Sequence, residues 1–448
     1  MWKKFWIKGR SSILKNQLAK KVTGIFGLKI LFTGLSFLIS LLLARLLGVE
    51  EYGVYTYAMT WITLLQIPAS LGLRDILICQ VSAYQARSQL GMMRGLLLWS
   101  NLTVFLVSIG IILIATIVAW ILKSEVHEQF LPVFWLALPI IPLSALSDLR
   151  RGAMLGLHQV VRGEIPGMLV YPVLLLILQA TAYLLSPDGL NAPLAMGIRV
   201  LTLAVSFIYS IHLLRESLPR NFGKVRPNYQ ICLWTRSIIP FLFIGCTYYL
   251  NSNTDILMLG AIKGPEEVGI YFVATRGAEL IGFILLAVNI TLGSVFTKLY
   301  TEGDFQQLQR ILTKTTNIVF LFSLPISLCL IAGGHWFLLL FGAEFTRGHI
   351  ALAVLGIGQL VNAAAGPIAL LLSMTGYEKY TAICVGMSAI ANIILNALLI
   401  EPFGLSGATI ATTSSMILLN ILLAMFVYKK MKLSPTIFGH LFVQKSNY

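Results

Sequence analysis

The sequence predicts an all-α integral membrane protein, with twelve transmembrane helices in two six-helix lobes inserted the same way up. Three observations carry that prediction. Of 448 residues, 57% are apolar and 11% charged, and the mean hydropathy is +0.83; a soluble chain carries roughly 25% charged residues. Lysine and arginine gather in one alternate set of loops. One short, charged, glycine-bounded phrase occurs twice, about half a chain apart.

A membrane-spanning helix takes about 20 mostly apolar residues. In the first half such stretches lie near 22–44, 53–72, 96–122, 131–147, 165–185 and 190–213. In the second half they lie near 237–261, 268–296, 315–334, 350–373, 381–400 and 406–428. Short polar breaks with glycine or proline separate them, among them LSPDGLNAP, AIKGPEE and LIEPFGLSG. The expected organisation is a basic cytoplasmic segment over 1–21, a lobe over 22–213, a cytoplasmic linker over 214–236, a second lobe over 237–428 and a cytoplasmic tail over 429–448. The opening segment mixes Trp2, Phe5 and Trp6 with lysines, which suits the inner membrane surface. It has no signal-peptide pattern and is expected to be retained.

Charge fixes the orientation, because cytoplasmic loops keep lysine and arginine. With a cytoplasmic N-terminus, the tails and the even-to-odd loops hold 26 of the 33 basic residues. Examples are Lys3, Lys4, Arg150, Arg151, Arg215, Arg220, Lys224, Arg226, Lys429 and Lys430. The opposite loops hold only Arg45, Lys123, Lys263 and Arg347, with nine acids. Both termini are therefore expected in the cytoplasm. The formal net charge of +15 is spread over loops beside apolar spans, so it meets anionic lipid headgroups and not nucleic acid. Cys79, Cys232, Cys246, Cys329 and Cys384 show no metal or redox spacing and read as small apolar residues.

The doubled phrase is LLGVEEYGVY at 46–55 and IKGPEEVGIY at 262–271, offset by 216 positions. Each copy falls on the outer face between the first and second helix of a set of six. Weaker echoes pair MLG at 154–156 with MTG at 374–376, and PDGL at 187–190 with PFGL at 402–405. Three echoes in order indicate a duplication. Six is even, so the repeats are parallel, related by an axis along the membrane normal. Locally, the glycines permit a tight turn and the glutamates oppose the positive end of the next helix. Tyr55 and Tyr271 are expected at headgroup depth.

Five charged residues fall inside the predicted spans: Lys29, Arg199, Asp255, Arg276 and Glu279. Such charges are costly unless paired or hydrated, which makes each a functional candidate. Counting from the outer turn at about 1.5 Å per residue, Asp255 and Arg276 both lie about 15 Å deep on consecutive antiparallel helices. Glu279 shares a helix face with Arg276. The expectation is one cluster of Asp255, Arg276 and Glu279, which either lines a hydrated cavity or locks helix seven to helix eight. Asn251 and Asn253 add polar lining beside Asp255. Arg199 also lies near mid-depth, and Lys29 one or two turns inside helix one.

LARLLGVEEYGVYTYA, DILMLGAIKGPEEVGIYFVATRGAELIGF, LGIGQLVNAAAGP, LLSMTGYEK and NIILNALLIEPFGLSGATIAT, in that order along nearly the whole chain, carry a family resemblance. The chain is similar to the polysaccharide-biosynthesis branch of the multidrug/oligosaccharidyl-lipid/polysaccharide exporter superfamily, and in style to O-antigen and oligosaccharide flippases. That resemblance implies two lobes around a central cavity. It implies a flippase of the bacterial inner membrane moving an undecaprenyl-pyrophosphate-linked glycan from the cytoplasmic to the outer leaflet, for O-antigen, capsule or similar polysaccharide. A polysaccharide polymerase and a chain-length regulator would be its partners. Under this reading Lys29, Arg199 and Arg276 attract the pyrophosphate, and Asp255 and Glu279 are the carboxylates for coupling to H+ or Na+.

Two other classes compete. A multidrug exporter of the same superfamily would share the fold, but cationic drugs call for carboxylates and aromatic walls, whereas the embedded charges here sum to +1. An enzyme would need an acidic metal or base site on a sizeable outer domain. The outer loops are short, and His127, His335 and His349 read as solvated loop histidines. No G-x-x-x-x-G-K-[ST] loop is present for ATP. No cofactor, metal or catalytic residue is expected.

Overall fold

The computed structural model describes residues 2–124, 127, 129–185, 189–219, 221–235 and 238–435. Arg220 and Arg236 of the expected linker, positions 186–188 of the PDGL break and the expected tail from 436 onward lie outside the described residues. So do the side chains of the basic segment 1–21. Among the described residues there is no strand. This follows from the bilayer, where a backbone group without an internal partner costs several kcal/mol.

The first elements are α1 (Trp2–Ser70), α2 (Leu73–Ala86), α3 (Leu90–Ile121), α4 (Phe130–Ala137), α5 (Ile140–Gly156), α6 (Val160–Ile165), α7 (Tyr171–Leu185) and α8 (Ala192–Ser217). The next are α9 (Ile231–Thr235), α10 (Ile238–Lys263), α11 (Pro265–Glu302) and α12 (Phe305–Ala332). The last are α13 (Gly334–Leu339), α14 (His349–Ala365), α15 (Ile368–Met374) and α16 (Glu378–Met431). Among the described residues nine stretches are long and apolar enough to cross a membrane. Two of these, 61 and 54 residues long, far exceed one crossing. Each contains a glycine outside helical geometry, Gly48 at φ 75°, ψ 179° and Gly404 at φ 53°, ψ −126°. α1 and α16 are therefore each two helices joined at a glycine.

The repeat is visible in backbone conformation. Gly264, the counterpart of Gly48, sits at φ 90°, ψ 178°, a region open essentially to glycine alone. Gly189 and Gly404, from the PDGL and PFGL echoes, both have positive φ. The third echo shifts by two residues. The turn after α5 has its left-handed residue at His158, with Gln159 N–H donating to Met154 O at 2.9 Å. The turn after α15 has Gly376 there, with Tyr377 N–H donating to Leu372 O at 2.9 Å. Met154 thus corresponds to Leu372, not Met374, which brings this offset to 218.

Packing divides the chain into two compact units, Met1–Leu47 with Trp61–Cys246, and Gly48–Thr60 with Thr247–Tyr448. In the first unit α2 lies along α5 and α3, burying Leu73, Leu77 and Ala153 completely. α3 turns Leu102, Leu106, Leu113, Ile117 and Trp120 outward, a face that only lipid can cover at this length of apolar helix. The second unit has a core of Phe296, Leu308, Leu312, Ile368, Leu371 and Cys384, all fully buried. Segment Gly48–Thr60 belongs to this unit because Tyr52 is buried edge-on against Phe272 and Phe345, with ring centroids 6.1 and 5.9 Å away.

Two expectations are corrected. Tyr55 and Tyr271 are not headgroup-level anchors; both are buried in the second unit. And α5 continues past 147, so Asp148, Arg150 and Arg151 lie within a helix and not in a loop; a hydropathy scan ends the span at these charges. Because the Gly48 and Gly264 conformations exclude a Cβ, Gly48→Ala or Gly264→Ala should each lower stability by about 1–3 kcal/mol. Gly223→Ala, where a Cβ meets nothing within 4 Å, should leave it unchanged; thermal unfolding in detergent measures all three.

Candidate functional site

In the second unit, α10 carries Asp255 and the first turns of α11 carry Tyr271. The Tyr271 hydroxyl donates to Asp255 Oδ2 in a short hydrogen bond. Thr412 Oγ1 on α16 donates to the same oxygen at 3.1 Å, and Ile256 N–H donates to Oδ1 at 2.9 Å. Tyr271 and Thr412 hydroxyls are themselves 3.1 Å apart. Asp255 is 5% exposed and Tyr271 0%. No cation among the described residues pairs with this carboxylate, so its charge is met by neutral donors alone.

A polar chain continues along α16. Ser415 Oγ donates to Thr412 O at 2.9 Å and receives Asn392 Nδ2 at 3.1 Å. Asn396 Nδ2 donates to Asn392 O at 2.9 Å, and Ser388 Oγ to Ser415 O at 2.8 Å. The carbonyl Oδ1 of Asn396 is buried without a donor. Five buried or half-buried polar side chains on the two helices of α16 are costly in an apolar setting unless mutually satisfied. Here they form one connected, oxygen-rich path from Asp255 into the heart of α16.

Arg276 and Glu279 are elsewhere. Arg276 Nη1 lies 2.7 Å from Glu279 Oε2, and its guanidinium sits 4.6 Å from the Phe272 ring centroid. The two side chains are 38% and 58% exposed. The expected three-residue cluster therefore separates into a buried Asp255 network and an accessible Arg276–Glu279 pair. The reason is angular. At 3.6 residues per turn, positions 271 and 276 of α11 point about 140° apart, and Asp255 faces the Tyr271 side. Asn253 Nδ2 donates to Tyr249 O at 3.1 Å, and Asn251 is half-buried.

In the first unit, Lys29 is half-buried on α1 and has no carboxylate within reach among the described residues. Arg199 on α8 lies 5.9 Å from the Tyr171 ring. Charges that the sequence reading placed in a cytoplasmic loop assemble in helices of the first unit. Gln66 Nε2 donates to Asp148 Oδ2 at 3.1 Å, Arg151 pairs with buried Glu164 at 2.5 Å, and Arg150 lies 4.1 Å over the Phe207 ring. Among the described residues no three or more His, Cys, Asp and Glu side chains form a metal site.

Residues 18–296 match the family described as polysaccharide biosynthesis protein, and residues 240–398 match MatE. A probable low-salt glycan biosynthesis flippase, Agl15 of Haloferax volcanii, is 24% identical over 398 residues, covering 88% of this chain and 79% of that protein. An inward-facing multidrug resistance MATE family transporter of the MOP superfamily shares the fold with a TM-score of 0.74 at 13% identity, covering 93% and 96% of the two chains. Lipid II flippase MurJ, in an inward closed conformation, does so with a TM-score of 0.70 at 15% identity, covering 95% and 93%.

Two hydroxyls carry the Asp255 network, and removing either takes one of two donors from the buried Oδ2, which costs about 1–3 kcal/mol. Tyr271→Phe and Thr412→Val should each lower the detergent melting temperature. Asp255→Asn combined with Tyr271→Phe should lose less than the two single losses added, since the groups share one contact. Strict additivity in that cycle would show that the network is not one unit.

Proposed function

The chain belongs to the polysaccharide biosynthesis protein family, and from that premise we propose that it is a flippase for a lipid-linked glycan. Its cargo in this reading is an undecaprenyl-pyrophosphate-linked oligosaccharide, moved from the cytoplasmic to the outer leaflet of a bacterial inner membrane by alternating access. The product feeds O-antigen, capsule or a similar surface polysaccharide, with a polymerase and a chain-length regulator downstream. The observation that carries the reading is the near-full-length likeness to a glycan flippase, joined to embedded charges with a cationic excess.

The architecture proposed for this work has twelve crossings, with α1 and α16 each counted twice, in two parallel six-helix lobes with both termini cytoplasmic. Lys29, Arg199 and Arg276 are the groups for the pyrophosphate. Arg276 suits the task because its guanidinium is half accessible and held over Phe272, leaving donors for phosphate oxygens. Glu279 keeps that guanidinium oriented while no cargo is present. The carrier tail would stay in lipid while the sugars cross a wet interior.

Coupling is assigned to Asp255. A buried carboxylate held by the hydroxyls of Tyr271 and Thr412 offers oxygen groups of the kind that fit H+ or Na+ and not a softer metal. When either ion is held there it neutralises the carboxylate; Tyr271, Thr412 and Asn392 keep the site's shape in both states.

The multidrug exporter reading stays as the rival, because the MATE transporter's fold is shared over 93% of the chain. Cavity sign separates the two. A drug exporter of cations would need an accessible unpaired acid, whereas Asp255 is buried and Glu279 is bound to Arg276.

At matched protein levels, Arg276→Ala and Arg199→Ala should each reduce glycan export by about tenfold, the worth of one charge-assisted contact. Deleting the protein should accumulate one undecaprenyl-linked unit on the cytoplasmic side. Normal export in both variants removes the pyrophosphate assignment. For coupling, Asp255→Asn should export with a reduced response to collapse of the H+ or Na+ gradient; an unchanged response excludes Asp255.

A further inference from the structure

The two copies of the repeated phrase pack on each other, and they do so reciprocally. Gly53 and Gly269 hold equivalent places in the phrase. A Cβ on Gly269 would meet Val49 O at 2.6 Å, Gly53 N at 3.1 Å and Gly53 Cα at 3.2 Å. A Cβ on Gly53 would collide with the Pro265 carbonyl, its carbon at 2.6 Å, and meet Gly269 N at 3.2 Å. Val49 and Pro265 are equivalent too. Each glycine therefore presses on the first helical turn of the other copy, which is the contact of a two-fold axis, where i meets j and j meets i. The first copy lies in segment Gly48–Thr60, so the crossing is internal to the second compact unit.

Backbone meets backbone through glycine hydrogens, a contact worth only weak Cα–H···O interactions. Parting the two helices withdraws the buried Tyr52 ring from Phe272 beside the crossing. A clip reinforces the crossing. On the turn 343–348, Glu344 Oε2 accepts Val49 N–H at 3.3 Å, and Arg347 pairs with Glu266. One short turn thus grips the first copy with an acid and the second with a base. Its asymmetry follows from one difference between the copies. Helix restart after Gly48 leaves Val49 N–H in need of an acceptor, whereas Pro265 has no N–H to satisfy.

We propose that the doubled phrase is a self-complementary latch on the outer side, closed by the Gly53–Gly269 crossing and clipped by Glu344 and Arg347, which parts to release cargo to the outer leaflet. The release role rests on the flippase reading; the closure does not. Thr56 lies one turn beyond Gly53 and is buried, so it reports closure. The five native cysteines are replaced by alanine, Thr56→Cys is added, and a membrane-impermeant maleimide is applied from outside.

Gly53→Leu and Gly269→Leu should raise the labelling rate by about tenfold or more, as overpacking a close crossing demands. Gly110→Leu, where a Cβ would meet nothing within 4 Å, should match the parent. Parent-like labelling of both leucine variants overturns the latch. Should those variants fail to insert, the clip gives the answer: Arg347→Glu should speed labelling, and Glu266→Arg with Arg347→Glu should restore the slow rate. Indifference to both overturns it equally. Labelling does not depend on cargo, so its failure removes the latch, whereas intact glycan export after deletion of the protein removes only the flippase reading.

Discussion

Hydrocarbon offers no partner for a backbone N–H or C=O, and every other feature of this protein is arranged around that constraint. It makes the chain helical and limits where helices can stop. The breaks at Gly48, Gly264 and Gly404 use backbone angles that need glycine, so that a helix can end and restart within one or two residues. It also sets the cost of each polar side chain. Asp255 is acceptable at depth because Tyr271, Thr412 and its own neighbour's N–H surround it, and Arg151 because Glu164 meets it.

An expected depth can be counted from sequence, whereas azimuth cannot. Counting residues from a turn places Asp255 and Arg276 at one level of the membrane, but which way each points depends on how helices rotate against one another. α11 shows the difference. Tyr271 faces Asp255 while Arg276, five residues on, faces Glu279 and open space. A helix of mixed polarity at every azimuth gives no periodic signal from which to read that rotation. Tyr271 looked like an interfacial ring because it stands near a turn; its burial comes from α16 arriving with Thr412, a contact 141 positions away. The charges of α5 were missed for another reason. A hydropathy window ends a span where charges begin, yet paired charges let the helix run on to Gly156.

The duplication was the most legible feature, and it was legible because glycine is irreplaceable where it recurs. Conformation at Gly48 and Gly264 differs by 15° in φ and 1° in ψ, so the two copies still solve one local problem. Echoes built on less constrained residues drifted. MLG and MTG align by letters at 220, but the hydrogen-bonded turns align at 218, since the left-handed position is a histidine in one half and a glycine in the other. The doubled phrase is thus matched in geometry where glycine is obligatory.

A repeat that contacts itself has a consequence for how each copy can change. In a two-fold contact any substitution at Gly53 presses on Pro265, and any at Gly269 presses on Val49, so neither glycine is free to diverge. The residue after the first glycine is different. Val49 and Pro265 are equivalent in position, but only Val49 carries an N–H, and Glu344 answers it. With Glu344 committed to one copy, Arg347 is left to the glutamate of the other. The crossing keeps its symmetry through what it cannot alter, and the clip, which meets the first copy with Glu344 and the second with Arg347, departs from that symmetry at a place where the copies differ.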